Sequence, residues 1–253
     1  MKTTDYSKIA EVYDNNSFRF DEVQIDTHLE GYLQNYQRQS YNVMDLACGT
    51  GIYLNDQTSN FDSHSIQWHG LDASKEMLRK AEDKLEGVTL VQGLAEELPY
   101  ETESFDFISN NYAFHHFTKK KQVVDEVQRV LKKGGIFKLH NINIHDMEKW
   151  WVYHYFPAAF QEDLDRFWQK EVIFNELTSQ GFTVRIESSC QMESIRVADY
   201  LKHAENRDIS VLTLINDEDY YNGLTKMKYD VEMDADKTIV NDFSELICIA
   251  KKS

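Results

Sequence analysis

The sequence predicts an α/β protein, a mostly parallel β-sheet with helices on both faces. Three observations predict it. From residue 43 to about residue 140, short runs of strand-forming residues alternate with stretches of helical periodicity, the pattern of βαβ units. The first run passes from Val43, Met44 and Leu46 into the turn Ala47-Cys48-Gly49-Thr50-Gly51, a sharp strand-to-helix connection. The chain of 253 residues is 42% hydrophobic and 13% aromatic, enough to bury a full core, and it has no Pro- or Gly-rich linker.

Taken in order, residues 5–39 read as helical, because Tyr6, Ile9, Ala10 and Tyr13, then Val23, Leu29, Tyr32, Leu33 and Tyr36, recur at helical spacing. The turn follows the first strand. Ile66–Leu71 is the second strand, and Ser74 caps a helix with an apolar face of Met77, Leu78, Ala81 and Leu85 that Gly87 ends. Val88–Gln92 and Phe105–Ser109 are the third and fourth strands. A helix lined by Val123, Val124, Val127, Val130 and Leu131 runs to Gly134-Gly135, and Ile136–Asn141 is the fifth strand. Beyond it come an aromatic stretch at 148–170, a helix at Glu171–Gln180, a strand at Thr183–Ser188, a mostly helical region at 195–232 and a last strand at Leu246–Ala250. One domain over 1–253 is expected, with a helical cap at 1–40, a core at 41–141, and insertions with the remaining strands at 142–253.

Charge and composition limit the partners. A net charge of −16 argues against nucleic acid, whose phosphates need clustered Lys and Arg. The one basic run, Lys119–Lys121, reads as the solvated start of a helix. No apolar stretch approaches the ~20 residues that span a bilayer, and Met1-Lys2-Thr3-Thr4-Asp5 is not a signal peptide. The three cysteines, Cys48, Cys190 and Cys248, lack metal-ligand spacing and suit a reducing cytoplasm, with Cys48 a small packing residue in the turn. No metal is expected, His140 and His145 being too isolated to make a site.

Glycine at 49 and 51 removes the Cβ atoms that would hold a ligand off the backbone, and the next helix aims its first N–H groups at the same spot. A nucleotide-like ligand is expected there. The dinucleotide pattern G-x-G-x-x-G fails at Leu54. The turn instead reads D-x-A-x-G-T-G from Asp45. At the end of the second strand, Asp72 can accept hydrogen bonds from ribose hydroxyls over the turn; it can equally be an acid favoured at a helix start.

These residues resemble the class I, S-adenosylmethionine-dependent methyltransferases, in particular the small-molecule branch related to the quinone-biosynthesis enzymes. The same family is resembled by Gln92-Gly93-Leu94-Ala95-Glu96-Glu97-Leu98-Pro99, by Ser104–Asn111 and by Val130-Leu131-Lys132-Lys133-Gly134-Gly135. The resemblance implies a Rossmann-like, seven-stranded sheet and S-adenosylmethionine as cofactor, with S-adenosylhomocysteine as product. It implies cofactor contacts from Asp45, Ala47, Gly49, Thr50, Gly51, Asp72, Ala73, Met77, Leu94, Ala95 and Asn110. Leu94 stands where the family has the acid that meets the adenine amine, so adenine specificity rests on backbone groups or a neighbour, or adenine is held more loosely.

The acceptor is expected to be a small molecule methylated on O, N or C, by a chain that is a monomer or homodimer. Transfer from a sulfonium needs positioning and at most one base. The pair His115-His116 follows the fourth strand, and certain phosphobase methyltransferases, which this arrangement resembles, pair an N-terminal Tyr with such a His; Tyr13 and His115 match those positions. Trp150, Trp151, Tyr153, Tyr155, Phe156, Phe160, Phe167 and Trp168 wall an apolar acceptor pocket, pack as a helical lid, or form a dimer contact. Two other functions share these signals: a protein that senses S-adenosylmethionine without turnover, and a nicotinamide oxidoreductase, which Leu54 disfavours.

Overall fold

Helix α1 (Thr27–Tyr36) starts at Asp26, whose carboxylate accepts hydrogen bonds from the backbone N–H groups of His28 and Leu29, the N-cap arrangement that short polar side chains provide. The computed structural model describes residues 25–61 and 65–253. Leu29, Tyr32 and Leu33 form the buried face of α1. The chain then enters β1 (Tyr41–Leu46), where five of six side chains are buried, as expected for a strand covered on both faces.

Seven strands form one mostly parallel sheet in the order β3-β2-β1-β4-β5-β7-β6. After β1 come α2 (Ile52–Asn60), β2 (Ile66–Asp72), α3 (Lys75–Glu82), β3 (Val88–Gln92) and β4 (Phe105–Asn111). Next are α4 (Lys120–Val130), β5 (Leu131–Ile142), α5 (Trp151–Tyr155), α6 (Pro157–Arg166) and α7 (Lys170–Ser179). The chain ends with β6 (Phe182–Arg196), α8 (Val197–Asn206), α9 (Asp217–Met233) and β7 (Thr238–Lys252). β1 is parallel to β2 on one side, with Asp45 opposite Gly70, and to β4 on the other, with Asp45 opposite Ser109.

Three boundaries differ from the sequence reading. The helix lined by valines stops at Val130, and Gly134-Gly135 lies inside β5. There Gly134 takes φ 75° and the register against β4 shifts between Phe105 and Phe107. The glycines thus absorb a bulge in a strand rather than ending a helix. β6 and β7 are both longer than predicted. Residues 187–194 of β6 are exposed without alternation, and buried Asn241 and Asp242 interrupt the apolar pattern of β7, so neither extension has a period-2 signature.

The described residues divide into two compact units, one holding 25–61, 65–141, 171–186 and 247–253, the other 142–170 and 187–246. In the second, the aromatic stretch makes the core. Trp150, Trp151, Tyr153, Tyr155, Phe156 and Phe167 are all buried in one cluster, Phe156 stacks on Tyr220, and the Tyr155 hydroxyl donates to Asp230 at 2.9 Å.

In the first unit, two polar clamps hold the sheet and its connections. Arg129 on α4 donates to the carbonyls of Leu98 (2.9 Å) and Tyr100 (2.7 Å), while Glu126 accepts from the Leu98 N–H; together they fix the loop between β3 and β4. At the start of β4, the fully buried carboxylate of Asp106 pairs with Arg38 at 2.8 Å and Lys132 at 2.7 Å and accepts from the Asn42 N–H. Asp106→Ala should destabilise the protein by about 2–3 kcal/mol in urea denaturation. This is below the 3–5 kcal/mol of a fully buried broken pair, because both cations are about a third exposed. A loss below about 0.5 kcal/mol would mean that both cations are solvated as well without their partner.

Candidate cofactor-binding site

β1 has β2 on one side and β4 on the other, so the direction of strand addition reverses at β1. In open α/β sheets this switch point, at the carboxyl ends of the strands, is where ligands bind. Two residues that carry a Cβ adopt left-handed backbone there. Ala47 follows β1 with φ 63°, and Tyr112 follows β4 with φ 51°. Such conformations are sparsely populated and collect at functional turns.

The turn after β1 is pinned by side chain and backbone together. Gly49 and Gly51 have φ 56° and 78°. The Gly49 N–H donates to Asp72 Oδ2 at 2.8 Å, Cys48 N–H to the Leu71 carbonyl at 3.0 Å, and Gly51 N–H to the Cys48 carbonyl at 2.9 Å. A Cβ at Gly49 would meet no atom within 4 Å, which leaves bare backbone facing open space. At Gly51 the expected ligand clearance is corrected: a Cβ there would lie 2.7 Å from Leu85 Cδ1 and 3.2 Å from Ala81 Cβ. Glycine at 51 lets the end of α3 pack against the turn. Thr50 is buried, and its carbonyl accepts from Lys84 Nζ at 3.1 Å. Cys48 is buried among apolar side chains, and burial holds its thiol well above its ordinary pKa.

Asp72 sits between two turns. Its Oδ1 accepts from the Ser74 N–H at 2.8 Å while Oδ2 holds Gly49, and Ser74 caps α3 through the Met77 N–H. Burial raises the Asp72 pKa, against the hydrogen bonds from Ser74, Gly49 and Ala73. Each oxygen of an ionised carboxylate has a second acceptor direction, so both ribose hydroxyls can still be served. Met77 and Ala95 are buried and Ala73 is exposed. Leu94, just past β3, is 58% exposed and offers an apolar surface.

At the other side of the crevice, Asp45 is 3% exposed, and its Oδ1 accepts from Ser109 Oγ at 3.0 Å and Asn111 Nδ2 at 3.4 Å. Burial pushes its pKa up to about 7, with those two hydrogen bonds acting in the opposite direction. Asn110 is fully buried with Nδ2 donating to the Leu46 carbonyl at 2.7 Å, and its Oδ1 has no hydrogen-bond partner among the described residues. A buried carboxylate at the switch point fits a cationic group that donates hydrogen bonds, which the ammonium of S-adenosylmethionine does.

His115 lies in a 3-10 turn, Phe114–His116, after β4. It is 6% exposed, and its Nδ1 is 3.2 Å from Asn141 Oδ1 at the end of β5. With that oxygen as acceptor, Nδ1 carries the proton and the ring has the tautomer with its lone pair on Nε2. Lys120 corrects the reading of Lys119–Lys121 as a solvated helix start: it is buried, and its Nζ donates to the Phe117 carbonyl at 2.7 Å and the His115 carbonyl at 3.4 Å. Its role is to hold the histidine turn. Tyr13 lies outside the described residues. Ser109, Asn111 and Asn141 were not singled out from sequence. Alternation along β4 places Ser109 and Asn111 on one face, a signal that could have found them; nothing links Asn141 to His115 before folding.

The sheet order and the turn after β1 define a Rossmann-like α/β fold with open backbone at its switch point. Residues 44–139, less than half of the chain, match the family model described as methyltransferase domain. The ubiquinone/menaquinone biosynthesis C-methyltransferase UbiE of Campylobacter jejuni is 28% identical over 138 residues, 52% of this chain and 59% of that protein. The uncharacterized methyltransferase YcgJ of Bacillus subtilis is 38% identical over 107 residues, 40% of this chain and 41% of its own. The chain thus spans about half the length of the curated relatives it matches. Solved structures share the fold over most of the chain. The YcgJ crystal structure superposes with a TM-score of 0.59 at 23% identity, covering 89% of this chain and 98% of that one. The phosphoethanolamine N-methyltransferase 2 of Haemonchus contortus, in complex with S-adenosyl-L-methionine, gives 0.54 at 18%, covering 90% and 53%.

The two glycines of the turn should separate experimentally. Gly51→Ala adds a collision with Leu85 to left-handed strain and should cost about 2–4 kcal/mol, against about 1–2 kcal/mol for Gly49→Ala, which meets strain alone. Chemical denaturation of both variants measures this; equal losses would mean that Leu85 moves aside freely.

Proposed function

We propose that the protein transfers a methyl group from S-adenosylmethionine to a small-molecule O, N or C acceptor, with His115 taking the acceptor's proton. The observation that carries the reading is the pair of carboxylates, Asp45 and Asp72, on either side of one left-handed turn at the switch point of the sheet. Asp72 would hold the ribose, Asp45 and Asn110 the ammonium, and Leu94, Ala95 and Met77 the adenine, with the bare Gly49 backbone beneath. Bound there, the cofactor supplies a methyl group already activated on a sulfonium.

The chain's own contribution is then to orient the acceptor and to remove its proton. Asn141 keeps the His115 imidazole in the tautomer that accepts at Nε2, and Lys120 fixes the turn that carries it. Tyr13 is assigned to the acceptor side on the family resemblance alone. The net charge of −16 favours a small or cationic acceptor over a polyanion, and no nucleic acid or membrane partner is assigned.

The test is a panel of small O, N and C nucleophiles incubated with the protein and methyl-labelled S-adenosylmethionine, read as label in an acceptor whose mass has risen by one methylene. Transfer to at least one acceptor is expected. Once an acceptor is in hand, His115→Ala should lower turnover by ~10²–10⁴-fold while leaving cofactor affinity nearly unchanged. Unaltered turnover would make the histidine a packing residue and leave positioning to drive the transfer. Cofactor binding without transfer to any nucleophile would favour a sensor.

A further inference from the structure

Beneath Asp45, one face of the sheet carries a buried polar network that the cofactor contacts do not use. Lys138 on β5 is almost fully buried, and its Nζ lies 2.7 Å from Asp26 Oδ2. The same oxygen accepts from the Tyr53 hydroxyl of α2 at 2.7 Å, and the Asp26 N–H donates to Gln57 at 2.9 Å. Tyr53 is also in hydrogen-bond reach of Ser109, and Ser109 donates to Asp45. Four elements thus converge on one chain of contacts: the start of α1, α2, β4 and β5. Lys138 is opposite Ser109 in the β4–β5 register, so that β4 alone separates it from Asp45 on β1.

From this geometry we infer that Lys138, with Asp26 and Tyr53, is a positioning group for Asp45: it sets how readily that carboxylate ionises and so how well it receives a cationic ligand. The inference rests on the cofactor assignment only for its ligand arm. Ionised Asp45 in an apolar interior is costly without compensation; the hydrogen bonds from Ser109 and Asn111 lower its pKa, and the charge of Lys138 adds to them in the same direction. Asp26 keeps Lys138 in place. Burial alone would raise the Asp26 pKa, but the ion pair with Lys138 and the hydrogen bonds from Lys138, Tyr53 and Leu29 hold it below the usual range. The other groups around Asp45 are Asp72, which opposes its ionisation, the protonated thiol of Cys48 on the turn, and the amide of Asn111. On β5, His140 lies opposite Asn111 and pairs with the Tyr112 hydroxyl at 3.2 Å. A protonated Asp45 cannot pair with an ammonium, so affinity for one should rise with pH through the Asp45 midpoint, near 7 in the free protein.

The test reads Asp45 directly. Carboxyl carbon-13 NMR of the free protein, with the Asp45 signal assigned by its loss in Asp45→Asn, gives the midpoint without any ligand. Lys138→Met should raise it by roughly one pH unit, the scale of losing a nearby opposite charge. The double variant Asp26→Asn with Lys138→Met, which removes the cation without stranding the Asp26 charge, should keep its midpoint above that of wild type, and Tyr53→Phe, which removes only a hydroxyl, should shift it less than Lys138→Met. An unmoved midpoint in a folded Lys138→Met protein overturns the inference. So does a double variant that returns to the wild-type midpoint, since the stranded charge of Asp26 and not the loss of Lys138 would then be the cause. A second arm measures S-adenosylhomocysteine affinity from about pH 5.5 to 7.5; its acid limb, ~10-fold per pH unit, should move with the NMR midpoint. A midpoint that moves in a protein that binds no S-adenosylhomocysteine at any pH leaves the network standing and removes the cofactor assignment.

Discussion

One carboxylate ties the functional end of the sheet together. Asp72 takes the Gly49 N–H on one oxygen and the Ser74 N–H on the other, so the turn after β1 and the start of α3 share a single anchor. Without it, the turn would have to hold three left-handed residues, Ala47, Gly49 and Gly51, on backbone hydrogen bonds alone. Packing then adds its own demand, since Leu85 and Ala81 press against Gly51 and leave no room for a side chain there. The site is therefore held from beneath by helix packing and from the side by a charged hydrogen bond, and only Gly49 is left open above.

The same economy governs the opposite side of the crevice. Asp45 is buried in a place where its charge is expensive, and the sheet supplies Ser109 and Asn111 on β4 to meet it. Asn110, on the alternate face, spends its amide N–H on Leu46 and leaves its oxygen without a partner. The histidine turn is built more tightly, with Lys120 beneath its carbonyls and Asn141 on the ring. Positioning of this kind suits a reaction whose donor arrives already activated.

Much of this was legible before folding. The β1 turn, Asp72 and the Ser74 cap are local, set by residue type and spacing, and they stand where the sequence puts them. What was not legible depended on tertiary contact. Nothing in Lys119-Lys120-Lys121 tells which lysine turns inward; Lys120 does because the carbonyls of Phe117 and His115 face it. Gly134-Gly135 reads as a helix stop, yet the pair sits in a bulge that exists only because β4 lies alongside. The partnership of Asp26, Tyr53 and Lys138 spans 112 residues of sequence, and no periodicity encodes it. Of the aromatics at 150–168, Trp150, Trp151, Tyr153, Tyr155, Phe156 and Phe167 are buried in one cluster, a grouping set by tertiary contact.

The central claim is that this turn receives an adenosyl amino acid and not a dinucleotide, and calorimetric titration tests it most directly. Wild-type protein titrated with S-adenosylmethionine and, separately, with NAD should bind the first and not the second, and Asp72→Ala should weaken that binding by about 1–3 kcal/mol, the scale of lost hydrogen bonds to a charged group. Binding of NAD without binding of S-adenosylmethionine would contradict the account.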